Sequence, residues 1–276
     1  MLLVPLAALA FAFPVGSDGL DVTARALATG DAQRAVSTGN DGIFVNPAGL
    51  AASRRYTFEL DGVGDVHAGD YGFGASVVDS VSSAPVAAGA AYTRWELGLP
   101  TGERTEGNEV RIASAYPISQ RILFGATGKY LGISGGGLDV HAWTFDAGFL
   151  ITAGGFRIGV TGQNLIPTNS RWAPLTGGLG VAFGSDDSFQ LSLDTVVNLA
   201  DSAHPAYSGR FGLEYLLGDA FPFRAGVMFD QPTKALDLTL GLGLVTSAFG
   251  VDVGWRHGLR QDGGQYVGVS VKMFLE

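Results

Sequence analysis

A serine in a glycine-rich stretch is the first residue whose neighbours could support catalysis. Gly132-Ile133-Ser134-Gly135-Gly136 matches the Gly-x-Ser-x-Gly pattern of a nucleophile elbow, in which a strand, a strained turn and a helix expose the hydroxyl for acyl transfer. The residues that follow, Gly137-Leu138-Asp139, lead into another alternating segment and not into a helix. Because 42 of the 276 residues are glycine, such a match is expected by chance. We therefore interpret Ser134 as a loop residue.

The sequence also lacks the usual patterns of metal and phosphate sites. His67, His141, His204 and His257 are spread along the chain, without the close or carboxylate-flanked spacing of metal ligands. Gly128-Lys129-Tyr130 has no Ser or Thr to coordinate magnesium. The chain has no cysteine, and its net charge of −9 argues against nucleic acid as a partner. We predict a protein that is not an enzyme and needs no cofactor.

The composition is that of a membrane protein without membrane-spanning helices. Only 16% of the residues are charged, and the mean hydropathy is +0.24. After the N-terminus, however, Gly, Asp, Arg or Thr interrupts every apolar run within a few residues. A membrane helix needs about 20 consecutive apolar residues. The other structure that satisfies all backbone polar groups in lipid is a closed β-barrel.

From Arg54 onward, apolar residues alternate with polar residues or glycine in segments of about ten residues. This period is typical of strands with two unlike faces. Single-chain bacterial barrels have an even number of strands. The predicted fold class is therefore all-β, a 14-stranded antiparallel transmembrane β-barrel. The fourteen segments are centred on Phe58, Phe73, Ala90, Ile112, Thr127, Phe145, Val160, Leu179, Leu193, Phe211, Ala225, Leu240, Val253 and Val269.

The connections between the segments alternate in length, which predicts an orientation. Tight turns are typical of the periplasmic side of such barrels, and longer loops are typical of the outer side. We expect aromatic residues near the segment ends to lie at the two membrane interfaces. The short connections are 119–120, 152–154, 185–187 and 247–248, and the long ones are 98–107, 135–141, 165–173 and 259–264. The interfacial aromatics are Tyr56, Tyr71, Tyr116, Trp143, Tyr207, Tyr215, Phe221, Phe229, Trp255 and Tyr266.

The N-terminus is typical of an exported protein. Residues 1–12 form an apolar stretch that ends in Ala10-Phe11-Ala12, as a cleavable signal does, although its usual positive N-terminal region is missing. A buried apolar strand is the alternative. An exported soluble β-sandwich would give the same alternation as a barrel. The signal, the unbroken Leu and Phe faces and the few Lys and Glu residues on the polar faces favour the outer membrane of a Gram-negative bacterium.

An irregular stretch, residues 19–53, precedes the first segment and contains Asn46-Pro47-Ala48-Gly49-Leu50. Asn46 can bond to nearby backbone, Pro47 fixes φ, and Gly49 permits a tight reversal, although an ordinary turn would use the same residues. The motif and its position resemble the N-terminal plug of the long-chain fatty-acid transporter superfamily of outer-membrane proteins. That resemblance implies fourteen strands and an N-terminal hatch folded into the lumen.

The predicted domains are an export signal at 1–12, an N-terminal plug or hatch at 13–53 and an outer-membrane β-barrel at 54–276. The inward faces mix acids and bases, which should pair with each other or with the plug backbone. Inward glycines leave room for that backbone to approach. We expect a filled or narrow polar lumen without a run of apolar positions. The inward charges are Arg111, Lys129, Asp146, Arg157, Asp194, Arg210, Glu214, Arg224, Asp237, Asp252 and Arg256, and the inward glycines include Gly212, Gly226, Gly241, Gly243 and Gly254.

The last segment ends in an aromatic residue. Its alternating residues, 267–274, finish at Phe274 and resemble the C-terminal signal by which barrel assembly machinery recognises its substrates. Leu275 and Glu276 follow the aromatic, which departs slightly from that pattern.

The resemblance implies two possible functions. The first is a barrel of the fatty-acid-transporter type, plugged by its N-terminus, that passes small hydrophobic molecules. The second is a barrel without transport that anchors or docks an envelope-spanning secretion or gliding-motility complex, because the loops are short and smaller relatives serve such machinery. The expected partners are outer-membrane lipid, the barrel assembly machinery, and either other envelope proteins or a small hydrophobic ligand.

Overall fold

The computed structural model describes residues 23–99, 102–168, 170, 172–201, 203–260 and 263–275. The predicted export signal, residues 1–12, lies outside the described residues. Among the described residues, no helix is long and apolar enough to cross a membrane. The helices are α1 (Ala24–Ala28), α2 (Asn40–Phe44) and the 3-10 helix η1 (Pro47–Ala51).

Fourteen antiparallel strands pair in chain order, and β14 pairs with β1, so the wall is a closed barrel. Each predicted segment centre lies in the corresponding strand, and the predicted fold is confirmed. The strands are β1 (Tyr56–Asp65), β2 (Tyr71–Asp79), β3 (Ala87–Gly98), β4 (Arg104–Ser119), β5 (Ile122–Gly135), β6 (Leu138–Ala153), β7 (Phe156–Gln163), β8 (Thr176–Gly184), β9 (Phe189–Asn198), β10 (Ala206–Leu217), β11 (Phe221–Asp230), β12 (Ala235–Val245), β13 (Phe249–Gly258) and β14 (Gln265–Leu275).

Side chains alternate across the wall as the sequence predicts. On β9, for example, Leu193 is 55% exposed on the outside, whereas its neighbour Asp194 is fully buried on the inside. The same holds for Ile112 and Arg111 on β4. Apolar surface of this extent is rare on soluble monomers. It is typical of the band that lipid covers on a transmembrane barrel.

Strands β3 to β6 are longer than the strands that follow them. They have 12, 16, 14 and 16 residues, whereas β7 and β8 have 8 and 9. Strand β6 pairs with β7 only over Ala147–Ala153. The first half of β6, with the paired ends of β3, β4 and β5, therefore continues past the end of β7. We call this four-stranded part the outer extension, following the predicted orientation.

The long loop predicted over residues 135–141 is wrong. Strand β5 continues to Gly135 and β6 begins at Leu138. The hairpin turns through Gly136 and Gly137, whose φ angles of 58° and 76° favour glycine. Ser134 is accordingly a strand residue and not a loop residue. The glycine-rich sequence suggested a flexible loop, whereas it supplies a tight turn between two long strands.

Candidate functional site

Residues 23–52, which we call the internal segment, lie inside the barrel and are nearly all buried. Helix α1 contacts β11 to β14, whereas η1 contacts β3 to β6. These two groups of strands lie on different sides of the closed wall. The internal segment therefore crosses the lumen and packs against both sides.

Asn46 holds two parts of the internal segment against the wall. Its Nδ2 donates to the carbonyl oxygen of Arg34 at 2.7 Å and to that of Phe149 on β6 at 3.1 Å. Its Oδ1 accepts from the backbone N–H of Ala48 at 3.2 Å, which caps η1. Asn46 is fully buried, and all three bonds replace contacts with water that the site excludes.

Glycines make room for the motif on both sides. A Cβ on Gly148 of β6 would overlap Oδ1 of Asn46, and one on Gly125 of β5 would overlap the backbone of Pro47. Gly49, within the motif, faces the backbone of Ser37 too closely for any side chain. The motif can therefore pack directly against the wall backbone, because glycine leaves no side chain at the points of contact.

Inward glycines also line the other side of the lumen. A Cβ on Gly212, Gly226, Gly241 or Gly254 would come within 2.8 Å of an atom of the internal segment. At Gly243 the nearest atoms belong to the wall instead. The close approach predicted for these glycines is therefore found at four of the five.

Buried ion pairs join the internal segment to β9 and β10. The backbone N–H of Arg34 donates to Oδ2 of Asp194 at 2.8 Å, and its guanidinium lies 3.2 Å from the same oxygen. Arg210 on β10 pairs with Asp31 of the segment. The side chains of Arg34, Asp194 and Arg210 have no exposed surface. Removal of one partner from such a pair lowers the free energy of unfolding by about 3–5 kcal/mol.

A second set of ion pairs joins α1 and α2 to the neighbouring part of the wall, strands β10, β11 and β13. Arg25 on α1 lies 3.1 Å from Asp41 on α2 and 3.1 Å from Glu214 on β10. Arg224 on β11 pairs with the same Glu214 and with Asp252 on β13. Glu214 therefore forms one ion pair with the internal segment and another within the wall.

The charged state of this set follows from its neighbours. Burial opposes ionisation of Asp41, but Lys272 and Arg25 outweigh it and hold the pKa of the carboxyl below its usual value. Burial likewise opposes the charge on Arg25, and Glu214 and Asp41 together raise its pKa well above the usual value. Both residues are ionised at neutral pH, so the segment is held by charged hydrogen bonds.

Other predicted inward charges pair within the wall. Lys129 and Asp146 lie 3.0 Å apart on β5 and β6. Arg256 and Asp237 lie 3.1 Å apart on β13 and β12. These pairs neutralise each other and leave the lumen free of isolated charges at these positions.

Arg111 and Arg157 have different surroundings. Arg111 donates to the backbone carbonyl oxygen of Phe44 at 3.4 Å, and its guanidinium lies 5.0 Å from the centre of the Phe44 ring. Arg157 pairs with Asp186 at 2.9 Å, in the short turn between β8 and β9. Arg111 therefore faces the internal segment, whereas Arg157 lies at the predicted periplasmic rim.

Two aromatic residues of β14 point into the barrel. Tyr266 lies over the guanidinium of Arg256 at 4.4 Å, so its predicted place at a membrane interface is wrong, because it shares the inner face with Ser270. Phe274 also shares that face and lies 5.0 Å from the guanidinium of Arg55. Leu275 is the last outward residue. The role of Phe274 in barrel assembly stays a prediction.

The outer extension has an apolar inner face, which the sequence did not predict. Trp95, Leu131 and Ile133 are almost fully buried and pack against Trp172 and Ala173 of the β7–β8 connection. The rings of Trp95 and Trp172 lie 5.2 Å apart. We call these five residues the outer apolar cluster. The expected absence of inward apolar positions is wrong here: Leu131 and Ile133 continue the inward parity of Lys129 on β5, and Trp95 continues that of Thr93 on β3.

A narrow gap continues from this cluster towards the middle of the lumen. Gly72 on β2 lines the gap and lies next to the cluster, since a Cβ placed on it would be 3.5 Å from Cβ of Trp95. The gap has a volume of about 10 Å³, which is about the space of one water molecule. It is lined by Thr23, Phe44, Asp61, Val63, Gly72, Phe73, Gly74 and Thr93.

The charges of the internal segment were missed at the sequence level. Arg25, Asp31, Arg34 and Asp41 lie in an irregular stretch where period-2 alternation assigns no face. Lys272, 3.2 Å from Glu59, was missed although its parity on β14 places it inside. The alternation of inward and outward positions, continued to the ends of the strands, could have identified Lys272 and the strand residues of the outer apolar cluster as inward.

Neither a protein-family model nor a curated protein matches the chain. Its fold is similar to that of solved structures. The CymD monoaromatic hydrocarbon channel has a TM-score of 0.74 and 14% identity, with 92% of this chain and 98% of that chain covered. The toluene transporter TbuX of Ralstonia pickettii has a TM-score of 0.71 and 15% identity over 92% and 98%. A FadL homologue of Pseudomonas aeruginosa has a TM-score of 0.71 and 11% identity over 91% and 98%.

The first two of these proteins are described as a channel and a transporter, not as enzymes. At such identities the similarity establishes the fold. It agrees with the resemblance carried by the motif from Asn46 to Leu50 ahead of β1. The chain, a closed barrel of fourteen strands, shares the fold of these solved structures.

Proposed function

We propose that the protein is an outer-membrane barrel that passes small hydrophobic molecules while its internal segment closes the lumen to ions and polar solutes. The observation that carries the proposal is the outer apolar cluster. Trp95, Leu131 and Ile133 lie inside the barrel, above the part of the lumen where buried ion pairs hold the internal segment. An apolar surface at the mouth of a polar lumen is suited to capture hydrophobic molecules from water.

The internal segment supports closure of the lumen to polar solutes. It contacts both sides of the wall, and its ion pairs with Asp194, Arg210 and Glu214 are buried. The gap along β1 to β3 has about the volume of one water molecule. A hydrophobic molecule could widen this gap on one side, whereas a hydrated ion would have to lose its water there.

The similar structures support the class of ligand. CymD is described as a channel for monoaromatic hydrocarbons, and TbuX as a toluene transporter. The apolar outer wall supports a place in lipid, and the predicted export signal with the barrel fold makes the outer membrane of a Gram-negative bacterium the expected location. The barrel assembly machinery would be the partner in its insertion.

Uptake of radiolabelled toluene tests the proposal, measured in cells of a deletion strain that carry either the gene or an empty plasmid. We expect faster uptake with the protein present. Removal of residues 23–52 should raise the ion conductance of the purified barrel in planar bilayers. Heat-modifiable gel mobility would show that the shortened barrel still folds.

Unchanged uptake in the deletion strain would contradict transport. If envelope proteins also lost their place in that strain, the barrel would be an anchor or docking subunit for a secretion or gliding complex. Fractionation of the intact protein into the soluble periplasm would contradict both functions; the closed barrel already rules out the β-sandwich considered as an alternative.

A further inference from the structure

The indole of Trp95 carries a buried donor without a partner. The residue is 2% exposed, and among the described residues its Nε1–H has no hydrogen-bond partner. A buried tryptophan usually places its N–H against an acceptor. An unmade bond of this kind destabilises the folded protein, because the N–H has lost its hydrogen bonds to water and gained none in return.

The wall holds the indole in place. Trp95 on β3 is paired with Gly107 on β4, and a Cβ on Gly107 would overlap the ring and lie 2.5 Å from Nε1. The indole therefore lies flat against bare backbone. Apart from the two indole nitrogens, the side chains of the outer apolar cluster contain only carbon and hydrogen.

We propose that Nε1–H of Trp95 determines which hydrophobic molecules the barrel prefers. The preferred ligands are aromatic compounds with one hydrogen-bond acceptor and no donor, such as aromatic ketones and aldehydes. The proposal rests on the proposed function and names its substrate class. A site with an unpaired buried donor discriminates strongly against an analogue that lacks the acceptor. A donor on the ligand would in turn be left unpaired among apolar side chains.

Space for a ring would come from the connection between β7 and β8. Trp172 and Ala173 belong to that connection and not to a paired strand, so they can shift without breaking the barrel. Trp95 remains fixed between β3 and β4. The ligand ring would then lie beside the two indoles, with its acceptor in the plane of the Trp95 ring, where Nε1–H can donate to it.

Acetophenone and ethylbenzene are suitable probes, because they have nearly the same shape and differ by a carbonyl oxygen. Binding of each to the purified full-length protein in detergent is measured by equilibrium dialysis against protein-free micelles. With each affinity taken relative to the probe's partition into the micelles, we expect the wild-type protein to prefer acetophenone over ethylbenzene about tenfold. Trp95→Phe should lose this preference and keep its affinity for ethylbenzene. Trp143→Phe, whose indole is 72% exposed on the outer wall, should behave as wild type.

Gly107→Ala is a second variant, because the added methyl group would displace the indole, and it should also lose the preference. Heat-modifiable mobility identifies the folded variants. If folded Trp95→Phe binds acetophenone as tightly as wild type, the inference is overturned and the proposed function stands. If folded wild type binds neither probe above the micelle background, the proposed function fails as well.

Discussion

The lumen contains two regions that are built in opposite ways. In the middle, ion pairs such as Arg34 with Asp194 and Arg25 with Glu214 hold the internal segment against the wall. At the outer end, Trp95 and Leu131 belong to a cluster that is apolar apart from its indole nitrogens. The middle fixes one piece of chain in one position, because each buried charge needs its partner. The outer cluster imposes no such geometry, so it can accept a ligand.

This difference implies that the two regions can be disturbed separately. Changes in the middle should release the internal segment and let ions through, with little effect on the capture of hydrophobic molecules. Changes in the outer apolar cluster should reduce uptake and leave the segment in place.

Gly159→Val should have the largest effect on the middle region. A Cβ at this position on β7 would overlap the carbonyl group of Arg34, so the internal segment cannot take its place. We expect ion conductance in planar bilayers to approach that of the barrel without residues 23–52. Gly177→Val is the matched control, because a Cβ there meets nothing within 4 Å. Equal conductance of the two variants would contradict the packing described for the segment.

Asp194→Ala should weaken the same region by removing a charge. Arg34 would lose its closest carboxylate. The free energy that holds the segment in the lumen should fall by about 3 kcal/mol. Limited proteolysis of the folded barrel should then cleave within residues 23–52 much faster than in wild type. Asp237→Ala, which removes a carboxylate paired with Arg256 of the wall, should leave cleavage of the segment nearly unchanged. Equal cleavage in both variants would refute a specific role for Asp194.

Asn46→Ala should have a smaller effect in the middle region. The change removes three buried hydrogen bonds, to the carbonyl groups of Arg34 and Phe149 and from the N–H of Ala48, and should lower the stability of the seated segment by about 1–3 kcal/mol. Hydrogen exchange of the amides around η1 should speed up accordingly. Asn108→Ala on the outside of β4 is the control, and unchanged exchange in Asn46→Ala would show that the motif does not hold the segment.

Ile133→Asn should alter the outer apolar cluster and leave the middle region unchanged. A polar amide in the outer apolar cluster should lower toluene uptake by about fivefold, since an unpaired buried polar group costs about 1 kcal/mol or more. Conductance and proteolysis of the segment should stay as in wild type. Ser134→Asn, on the opposite face of β5, should have no effect on uptake, and a fall in both variants would argue against a role for the inner face.

The wall could be predicted from the sequence because a barrel strand has two unlike faces. Alternation such as Leu238, Thr239 and Leu240 fixes which side chains meet lipid, and it located all fourteen strands. The motif at Asn46 then indicated the fold, since its position ahead of β1 is specific. These features are local, and each can be recognised from neighbouring residues.

The candidate site could be predicted only in part, because it depends on contacts between distant residues. Arg34 and Asp194 are 160 positions apart in the chain, and no local period relates them. The outer apolar cluster was missed because it joins Trp95, Leu131 and Ile133 to the β7–β8 connection, which is distant in the chain, and inward parity alone does not show that contact. The donor of Trp95 becomes apparent only when Gly107 is known to lie beside it.

Hydrogen exchange of residues 23–52 during transport tests the central claim most directly. The barrel is placed in lipid nanodiscs, and exchange of the segment amides is compared with and without saturating toluene. The account predicts that protection of the segment is unchanged by toluene, because hydrophobic molecules enter through the outer apolar cluster and the gap along β1 to β3 while the ion pairs stay intact. A toluene-dependent loss of protection across the segment would contradict it and would show that the whole segment must leave the lumen for each passage.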